Sequence, residues 1–296
     1  MTDRKCSLLL ILIATLLFPF TVSGQSNAPG RKQPSAKSTA PSGNQWWIGL
    51  RAGVNLNSAS VSKSYSVFSY PVDVPNGDNE KKYDAFNTPA LEFGFSVSYE
   101  FARGLSVNLL PVYSSNRLSY TNTFSWSEET EPDKLVQVSY DIETRLQYVQ
   151  FPLTVKYELT QSKFKPYIQA GGYYGLLTDA IKKVQTTSLD RASGADEEIN
   201  ITDLSVGIDD RIRKSNYGLL GGVGFTWNLG NARFGLEANY LYGLQNLDNS
   251  ANKYYDNQLL SGVYDVPDDY KLNTIEVLLQ AIIPLKFITS KEYVPL

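Results

Sequence analysis

The sequence predicts an all-β fold in which eight antiparallel strands, connected up-and-down, close into a barrel that crosses a membrane. Three observations predict it. Apolar and polar residues alternate with period two, the alternating segments are unusually long, and short and long connections follow one another in turn. Alternation of this kind is typical of strands whose two faces meet different environments.

The first 24 residues are predicted to be a cleaved secretory signal peptide. Arg4 and Lys5 precede an apolar run that ends at Phe20, and small residues follow where a signal peptidase cuts. The run is too short to span a bilayer comfortably, so a single membrane anchor is the less favoured alternative. Residues 25–45 are rich in Ser, Pro and Lys and nearly devoid of apolar side chains, which predicts a flexible linker.

The segments that follow the linker carry the alternation. In the second of them, Leu91, Phe93 and Phe95 share one face, whereas Glu92 and Glu100 share the other. Most segments reach the roughly 9 to 11 residues that a tilted strand needs to cross a membrane, against about 5 to 6 in globular sheets. The predicted strands are Trp46–Asn57, Ala90–Phe101, Leu105–Tyr120, Val138–Leu159, Lys165–Thr178, Lys214–Leu229, Ala232–Gln245 and Leu272–Phe287.

The connections point to a barrel of the bacterial outer-membrane type. Each odd-numbered predicted strand is followed by a long connection, such as residues 179–213, and each even-numbered one by a short turn, such as residues 102–104. Outer-membrane barrels have an even strand number, short periplasmic turns and long extracellular loops. We therefore expect a barrel over residues 46–287, a short tail over residues 288–296, and both termini in the periplasm.

Aromatic residues near the predicted strand ends suggest two interfacial belts, since amphipathic rings favour the membrane–water interface. The belt predicted at the short-turn end contains Trp46, Trp47, Tyr99, Phe101, Tyr157, Tyr167, Trp227, Phe234 and Phe287. The belt predicted toward the long loops contains Tyr113, Tyr120, Tyr148, Tyr217 and Tyr242. The alternative is that these rings form the core of a soluble barrel.

The composition excludes most catalytic chemistry. The chain has no histidine, and Cys6 and Met1, the only cysteine and methionine, lie in the predicted leader. The mature chain therefore cannot build a Ser/His/Asp or Cys/His nucleophile, or a zinc site with His or Cys ligands. We predict no catalytic residue, cofactor or metal site. The net charge of −3 also argues against a nucleic-acid partner.

Polar residues of both signs are predicted to face the barrel interior, because they alternate with the apolar face of each strand. An eight-stranded barrel is just wide enough for its own side chains, so these groups should pair inside it and leave no open pore. A solute path, or a functional carboxylate pair such as Glu92 with Glu237, is the less favoured alternative. The predicted interior charge network consists of Arg51, Glu92, Lys156, Arg233, Glu237 and Glu276.

The predicted long loops contain clusters of acidic residues. Calcium is one interpretation, since its ligands are oxygens. None of the clusters has the spacing of a known calcium loop, which favours a solvated acidic surface. The clusters are Glu128, Glu129, Glu131 and Asp133; Asp190, Asp196, Glu197, Glu198, Asp203, Asp209 and Asp210; and Asp265, Asp268 and Asp269.

Three segments resemble the PorT family of outer-membrane barrels found in Bacteroidetes. They are residues 146–157 (LQYVQFPLTVKY), residues 165–175 (KPYIQAGGYYG) and residues 233–240 (RFGLEANY) with the following 243–246 (GLQN). The resemblance covers about residues 46–287 and implies an eight-stranded barrel of the outer membrane. Because the founding member is linked to type IX secretion, it also implies a link to protein secretion. The chain departs from the usual pattern in that Phe287, the expected terminal aromatic, is followed by nine more residues.

The sequence thus favours a non-catalytic outer-membrane barrel in contact with outer-membrane lipid. Its loops or its basic N-terminal tail are expected to hold envelope or secretion proteins. A narrow channel or small-ligand transport barrel is the alternative, and a secreted soluble ligand-binding barrel is less favoured.

Overall fold

A computed structural model describes residues 45–65, 81–127, 135–192, 197–253 and 266–285. The predicted signal peptide, most of the linker, Phe287 and the C-terminal tail lie outside these residues. Within them the chain is all β, apart from one 3₁₀ turn at Ser250–Asn252. No helix in this part of the chain has the length and apolar composition needed to cross a membrane.

The described residues form ten strands in one antiparallel sheet. Their bounds are β1 Gln45–Lys63, β2 Pro89–Ala102, β3 Leu105–Leu109, β4 Val112–Ser127, β5 Leu135–Glu158, β6 Phe164–Asp190, β7 Glu197–Gly207, β8 Ser215–Leu229, β9 Ala232–Gly243 and β10 Asp269–Pro284.

The strand pairings return to their starting point. β1 pairs with β2 and β10, and from β10 the pairings run through β9, β8 and β6 to β5. β5 then pairs with β3 and β4, which both pair with β2. Each strand of the circuit thus has a neighbour on both sides, which pairs the backbone polar groups as a strand in lipid requires. The predicted antiparallel β-barrel fold is confirmed.

β3 and β4 are one predicted strand with a local interruption at Pro111. Proline has no backbone N–H to donate to a neighbouring strand. The register continues across the break, because Leu109 faces Leu153 and Val112 faces Gln150 on the same partner strand. The Pro111 carbonyl still accepts a hydrogen bond from the Phe95 N–H at 2.8 Å. The circuit therefore has eight strand positions, as the alternation predicts.

The connection predicted over residues 179–213 is wrong in its first part. β6 continues to Asp190, and β7 returns along it with Ile181 facing Gly207. β4 and β5 also extend beyond their predicted ends, to Ser127 and back to Leu135. These four strands, with β5 and β6 at the centre, form a sheet that projects from the long-loop end and that we call the projecting sheet. Along β7 the apolar residues at positions 199, 201, 204 and 206 do not keep period two, so alternation predicts no strand there.

The apolar face of the alternation points outward, as predicted. Leu91, Phe93 and Phe95 are 61 to 71% exposed, whereas Glu92 between them is 2% exposed. A barrel in lipid needs this inverted arrangement, with apolar side chains outside and polar ones in the lumen.

Four aromatic residues predicted for the belts lie inside the barrel instead. Trp47, Tyr120, Tyr148 and Tyr167 are all at most 3% exposed. Their proximity to strand ends was a weaker guide than strand parity, which places them on the inward face. Other predicted belt residues are exposed on the outside, including Trp46, Tyr157, Trp227 and Phe234 at the short-turn end and Tyr217 and Tyr242 toward the loops.

Candidate functional site

The candidate site consists of the charged residues that the sequence predicts for the barrel interior. All six of the predicted charge network are between 2 and 7% exposed: Arg51, Glu92, Lys156, Arg233, Glu237 and Glu276. Arg233 belongs to a layer near the short turns, and Arg51, Glu92, Glu237 and Glu276 belong to a middle layer. Lys156 contacts both layers, since its Nζ lies 3.9 Å from Glu158 and 4.9 Å from the ring centre of Tyr167.

The layer near the short turns is centred on Arg233. Its guanidinium lies 3.4 Å from carboxylate oxygens of both Glu100 and Glu158, and it stacks 3.6 Å from the ring centre of Trp47. Glu158 also accepts a hydrogen bond of 2.6 Å from Lys165. Planar guanidinium groups suit such combined ion-pair and stacking contacts.

The middle layer is centred on Arg51. This arginine donates to Glu237 at 2.7 Å and lies 3.5 Å from Glu276. The second oxygen of Glu237 accepts from the Tyr167 hydroxyl at 2.7 Å. Asn239 donates to Glu276 at 2.8 Å. Each carboxylate therefore has a charged and a neutral donor.

Glu92 belongs to the same layer but forms weaker contacts. It accepts from Asn55 at 3.3 Å and from Ser114 at 3.4 Å, and its other carboxylate oxygen has no hydrogen-bond partner among the described residues. It makes no hydrogen bond to Glu237, whose oxygens are engaged by Arg51 and Tyr167. The structure thus does not bring Glu92 and Glu237 together as the carboxylate pair considered from the sequence.

Toward the long-loop end the lumen changes from polar to apolar. Leu118, Leu146, Tyr148, Leu247 and Leu272 are at most 1% exposed and form one cluster, which we call the apolar plug. Two further members, Ile208 and Ile212, come from the chain between β7 and β8.

Backbone hydrogen bonds fix these loop residues over the barrel mouth. The Ile208 N–H donates to the Ala180 carbonyl at 2.8 Å, and the Leu247 N–H to the Tyr270 carbonyl at 2.9 Å. The two loop segments are thereby attached to the backbones of β6 and β10. The alternation of apolar and polar residues along strands does not predict the loop members of the plug, because these residues lie outside the strands.

A small cavity of about 40 Å³ borders the apolar plug and shares Ile208, Ile212 and Tyr270 with it. It has room for only a few water molecules. Its walls are Tyr83, Tyr120, Thr144, Lys182, Ile208, Arg211, Ile212, Pro267 and Tyr270.

Ion pairs join the loops at the same end. Lys81 donates to Asp268 at 2.9 Å, and Lys253 lies 3.0 Å from Asp248 and also bonds Asp269. Burial alone would lower the pKa of Lys253, but its bonds to Asp269 and Asp248 outweigh burial and raise it. For Asp248, burial disfavours the charged carboxylate and raises its pKa. These contacts stabilise the arrangement of the loops. In them the acidic loop residues are ion-pair partners of lysines.

The described acidic residues do not converge on a metal site. In the part of the chain that the structure describes, no three of His, Cys, Asp and Glu are grouped so that they could hold a metal ion. Asp209, one of the predicted acidic loop residues, pairs with Lys214 at 3.0 Å. The cluster between residues 128 and 133 and Asp265 lie outside the described residues.

Sequence reasoning missed several interior residues that the structure adds to the two layers. Lys165, Tyr167 and Gln169 alternate along β6 and are all at most 6% exposed. Their alternation is a usable signal for the inward face, whereas the position of Tyr167 near a strand end wrongly predicts a belt residue.

A comparison with protein-family models supports the topology. Residues 25–249 match the model described as "Outer membrane protein beta-barrel domain". The chain belongs to this family. Its members are integral to the outer membrane, and the outward apolar face of the barrel is accordingly a lipid-contacting surface.

Solved structures of other outer-membrane proteins are similar to this barrel. OprG from Pseudomonas aeruginosa is 14% identical, with a TM-score of 0.43, over 82% of this chain and 97% of the other. Neisserial surface protein A is 11% identical, with a TM-score of 0.34, over 80% and 96%. Ail from Yersinia pestis is 13% identical, with a TM-score of 0.28, over 80% and 98%. A search of curated protein sequences finds no match.

Proposed function

We propose that this protein is a non-catalytic outer-membrane barrel with a sealed lumen, and that its projecting sheet binds a partner protein of the cell envelope. The long-loop end then faces the outside of the cell, and both termini lie in the periplasm. The observation that carries the proposal is the apolar plug above two ion-paired layers.

The filled lumen favours a structural or partner-binding role over transport. Arg51 and Arg233 each bridge carboxylates from different strands, so a solute path would have to break buried ion pairs. Breaking one buried pair costs about 3 to 5 kcal/mol. The apolar plug would then have to open as well.

The projecting sheet is the surface that fits a partner. β5 has 24 residues and β6 has 27, more than twice the roughly 9 to 11 that cross a membrane. β7 pairs with β6 alone among the described strands, which leaves one of its edges open. Ile199 and Leu204 on β7 are 51% and 45% exposed. An open edge with exposed apolar side chains suits the addition of an extended partner segment.

The resemblance to the PorT family suggests what kind of partner protein is bound. It supports an envelope component linked to secretion, and the basic sequence of residues 25–45 is a second candidate for contact with a partner. The absence of histidine from the chain supports a role without catalysis.

Deletion of the gene followed by complementation tests this function. We expect deletion to change the profile of secreted or surface proteins, and the wild-type chain to restore it. Leu204→Lys combined with Ile199→Lys should fail to restore it, because charged edge side chains oppose strand addition. Gln185→Lys, at an exposed position of the central strand β6, is the matched control and should restore it. An unchanged profile after deletion, or full complementation by the edge variant, would contradict the proposal.

A further inference from the structure

Two arginines lie side by side on the outside of the barrel, just beyond the apolar surface. Arg117 on β4 faces Arg145 on β5 directly in the strand register. Their inward-pointing neighbours Asn116, Leu118 and Leu146 are at most 1% exposed, so both arginines point away from the lumen.

The outward residues of β5 show where the arginine pair lies along the membrane normal. Tyr157, Val155, Leu153 and Phe151 are exposed and apolar, and Val149 continues the same face. At about 3.4 Å per residue and a tilt of about 40°, Tyr157 to Val149 spans roughly 21 Å along the membrane normal, close to the apolar band of about 25 Å. Arg145 lies four residues further on, roughly 10 Å higher.

An interfacial tyrosine marks the boundary below the arginines. The Tyr113 hydroxyl donates to Gln147 at 2.6 Å, and Gln147 is the first polar residue above the apolar face of β5. Tyrosines of this kind occupy the headgroup level of a bilayer. The arginine pair therefore lies at or just above the headgroups.

Within the part of the chain that the structure describes, neither Arg117 nor Arg145 forms an ion pair. Glu143 lies two residues from Arg145 on the same outward face of β5, and Asp179 on β6 faces Gln147. The Nε of each arginine is shielded from solvent and has no hydrogen-bond partner in this part of the chain. Like charges directly opposite one another on a sheet are destabilising, so an anion between them would relieve a cost that the fold otherwise bears.

We propose that Arg117 and Arg145 form a binding site for the phosphate groups of a phosphorylated glycolipid in the outer leaflet. Two guanidinium groups present parallel pairs of N–H donors, the geometry that recognises phosphate oxygens. The apolar surface below them, from Val149 to Tyr157, accommodates the acyl chains. The site thus matches an amphiphilic anion with its charge at the headgroup level. This inference rests on the proposed orientation, with the long-loop end outside.

Binding of lipid A to the purified full-length protein in detergent tests the site. We expect the wild type to bind bisphosphorylated lipid A at least tenfold more tightly than lipid A from which both phosphates have been removed. Arg117→Gln with Arg145→Gln should lose at least tenfold in affinity for the phosphorylated form. Lys214→Gln with Lys271→Gln removes the same charge elsewhere at the loop end and should change affinity less than twofold.

Three results would overturn the proposal: equal binding of the two lipids by the wild type, unchanged affinity in the arginine variant, or displacement of lipid A by inorganic phosphate at equal concentration. The last result would indicate a site for free phosphate. If the double variant fails to fold, as judged by heat-modified gel mobility, Arg117→Gln and Arg145→Gln are measured singly, and each should still weaken binding. A Gln185→Cys variant, labelled in intact cells with a membrane-impermeant maleimide, tests the orientation separately, since the predicted mature chain has no other cysteine.

Discussion

At the scale of single residues, Arg51 is the central group of the lumen. It is 3% exposed and bonds Glu237, with Glu276 only slightly further away. Taking such charges out of water is costly, and Glu237 and Glu276 offset part of this cost by each accepting from a neutral donor as well, Tyr167 and Asn239 respectively. The surface pair Lys214 and Asp209 has no such requirement, because both side chains are more than half exposed.

Replacement of Arg51 should therefore be far more damaging than replacement of Lys214. We expect Arg51→Met to lower the free energy of unfolding by about 3 to 5 kcal/mol, because it leaves two buried carboxylates without their cation. Lys214→Met, the exposed control, should cost no more than about 1 kcal/mol. Urea titration of the refolded protein in lipid vesicles, followed by gel mobility, measures both.

Further substitutions should restore the stability that Arg51→Met loses. Adding Glu237→Gln and Glu276→Gln to Arg51→Met removes the unpaired charges and should recover much of the lost stability. Equal stability of Arg51→Met and the wild type would show that the layer does not depend on this ion pair.

At the scale of elements, close approach between strands restricts which side chains fit. A Cβ on Gly218 of β8 would lie 2.1 Å from the Tyr242 carbonyl oxygen and 2.7 Å from the Tyr173 ring. A Cβ on Gly221, three residues along the same strand, would meet nothing within 4 Å. Close contact with neighbouring strands therefore requires glycine at position 218 but not at position 221.

Gly218→Ala should consequently impair folding, whereas Gly221→Ala should not. We expect the first variant to lose at least half of its heat-modified folded band, because backbone and a buried ring would both have to move. The second should fold as well as the wild type, since alanine adds no clash at an outward position. Similar yields of folded protein for the two variants would contradict this account of the β8–β9 contact.

The elements also show how far the sequence could predict the structure. Period-two alternation located the eight strand positions and the inward Arg51, Glu237 and Glu276, because lipid outside and a polar lumen inside impose opposite demands on the two faces. Alternation fails where that contrast ends. In β7 the apolar residues at positions 199, 201, 204 and 206 do not keep period two, and the sequence therefore predicts this segment as part of a loop. The Ile208 and Leu247 side chains reach the plug through loop folding, which no strand period describes.

At the scale of the whole molecule, the membrane-crossing strands and the chain beyond them have different roles. The strands that cross the membrane present apolar side chains to lipid and ion pairs to one another. The chain beyond the membrane builds the apolar plug, the loop ion pairs and the projecting sheet. An eight-stranded barrel encloses a lumen that side chains can fill, and here polar layers and the plug occupy successive depths of it. The surface outside the membrane is therefore where we place the protein's function.

Electrical recording in planar bilayers tests the central claim, the sealed lumen, most directly. The full-length mature protein, inserted in a planar bilayer, should produce no discrete current steps at any voltage below membrane breakdown. Insertion should be verified by recovering the protein from the bilayer in its heat-modifiable form. Reproducible single-channel steps from the inserted wild-type protein would contradict the account, because current requires a continuous water path through the ion-paired layers and the apolar plug.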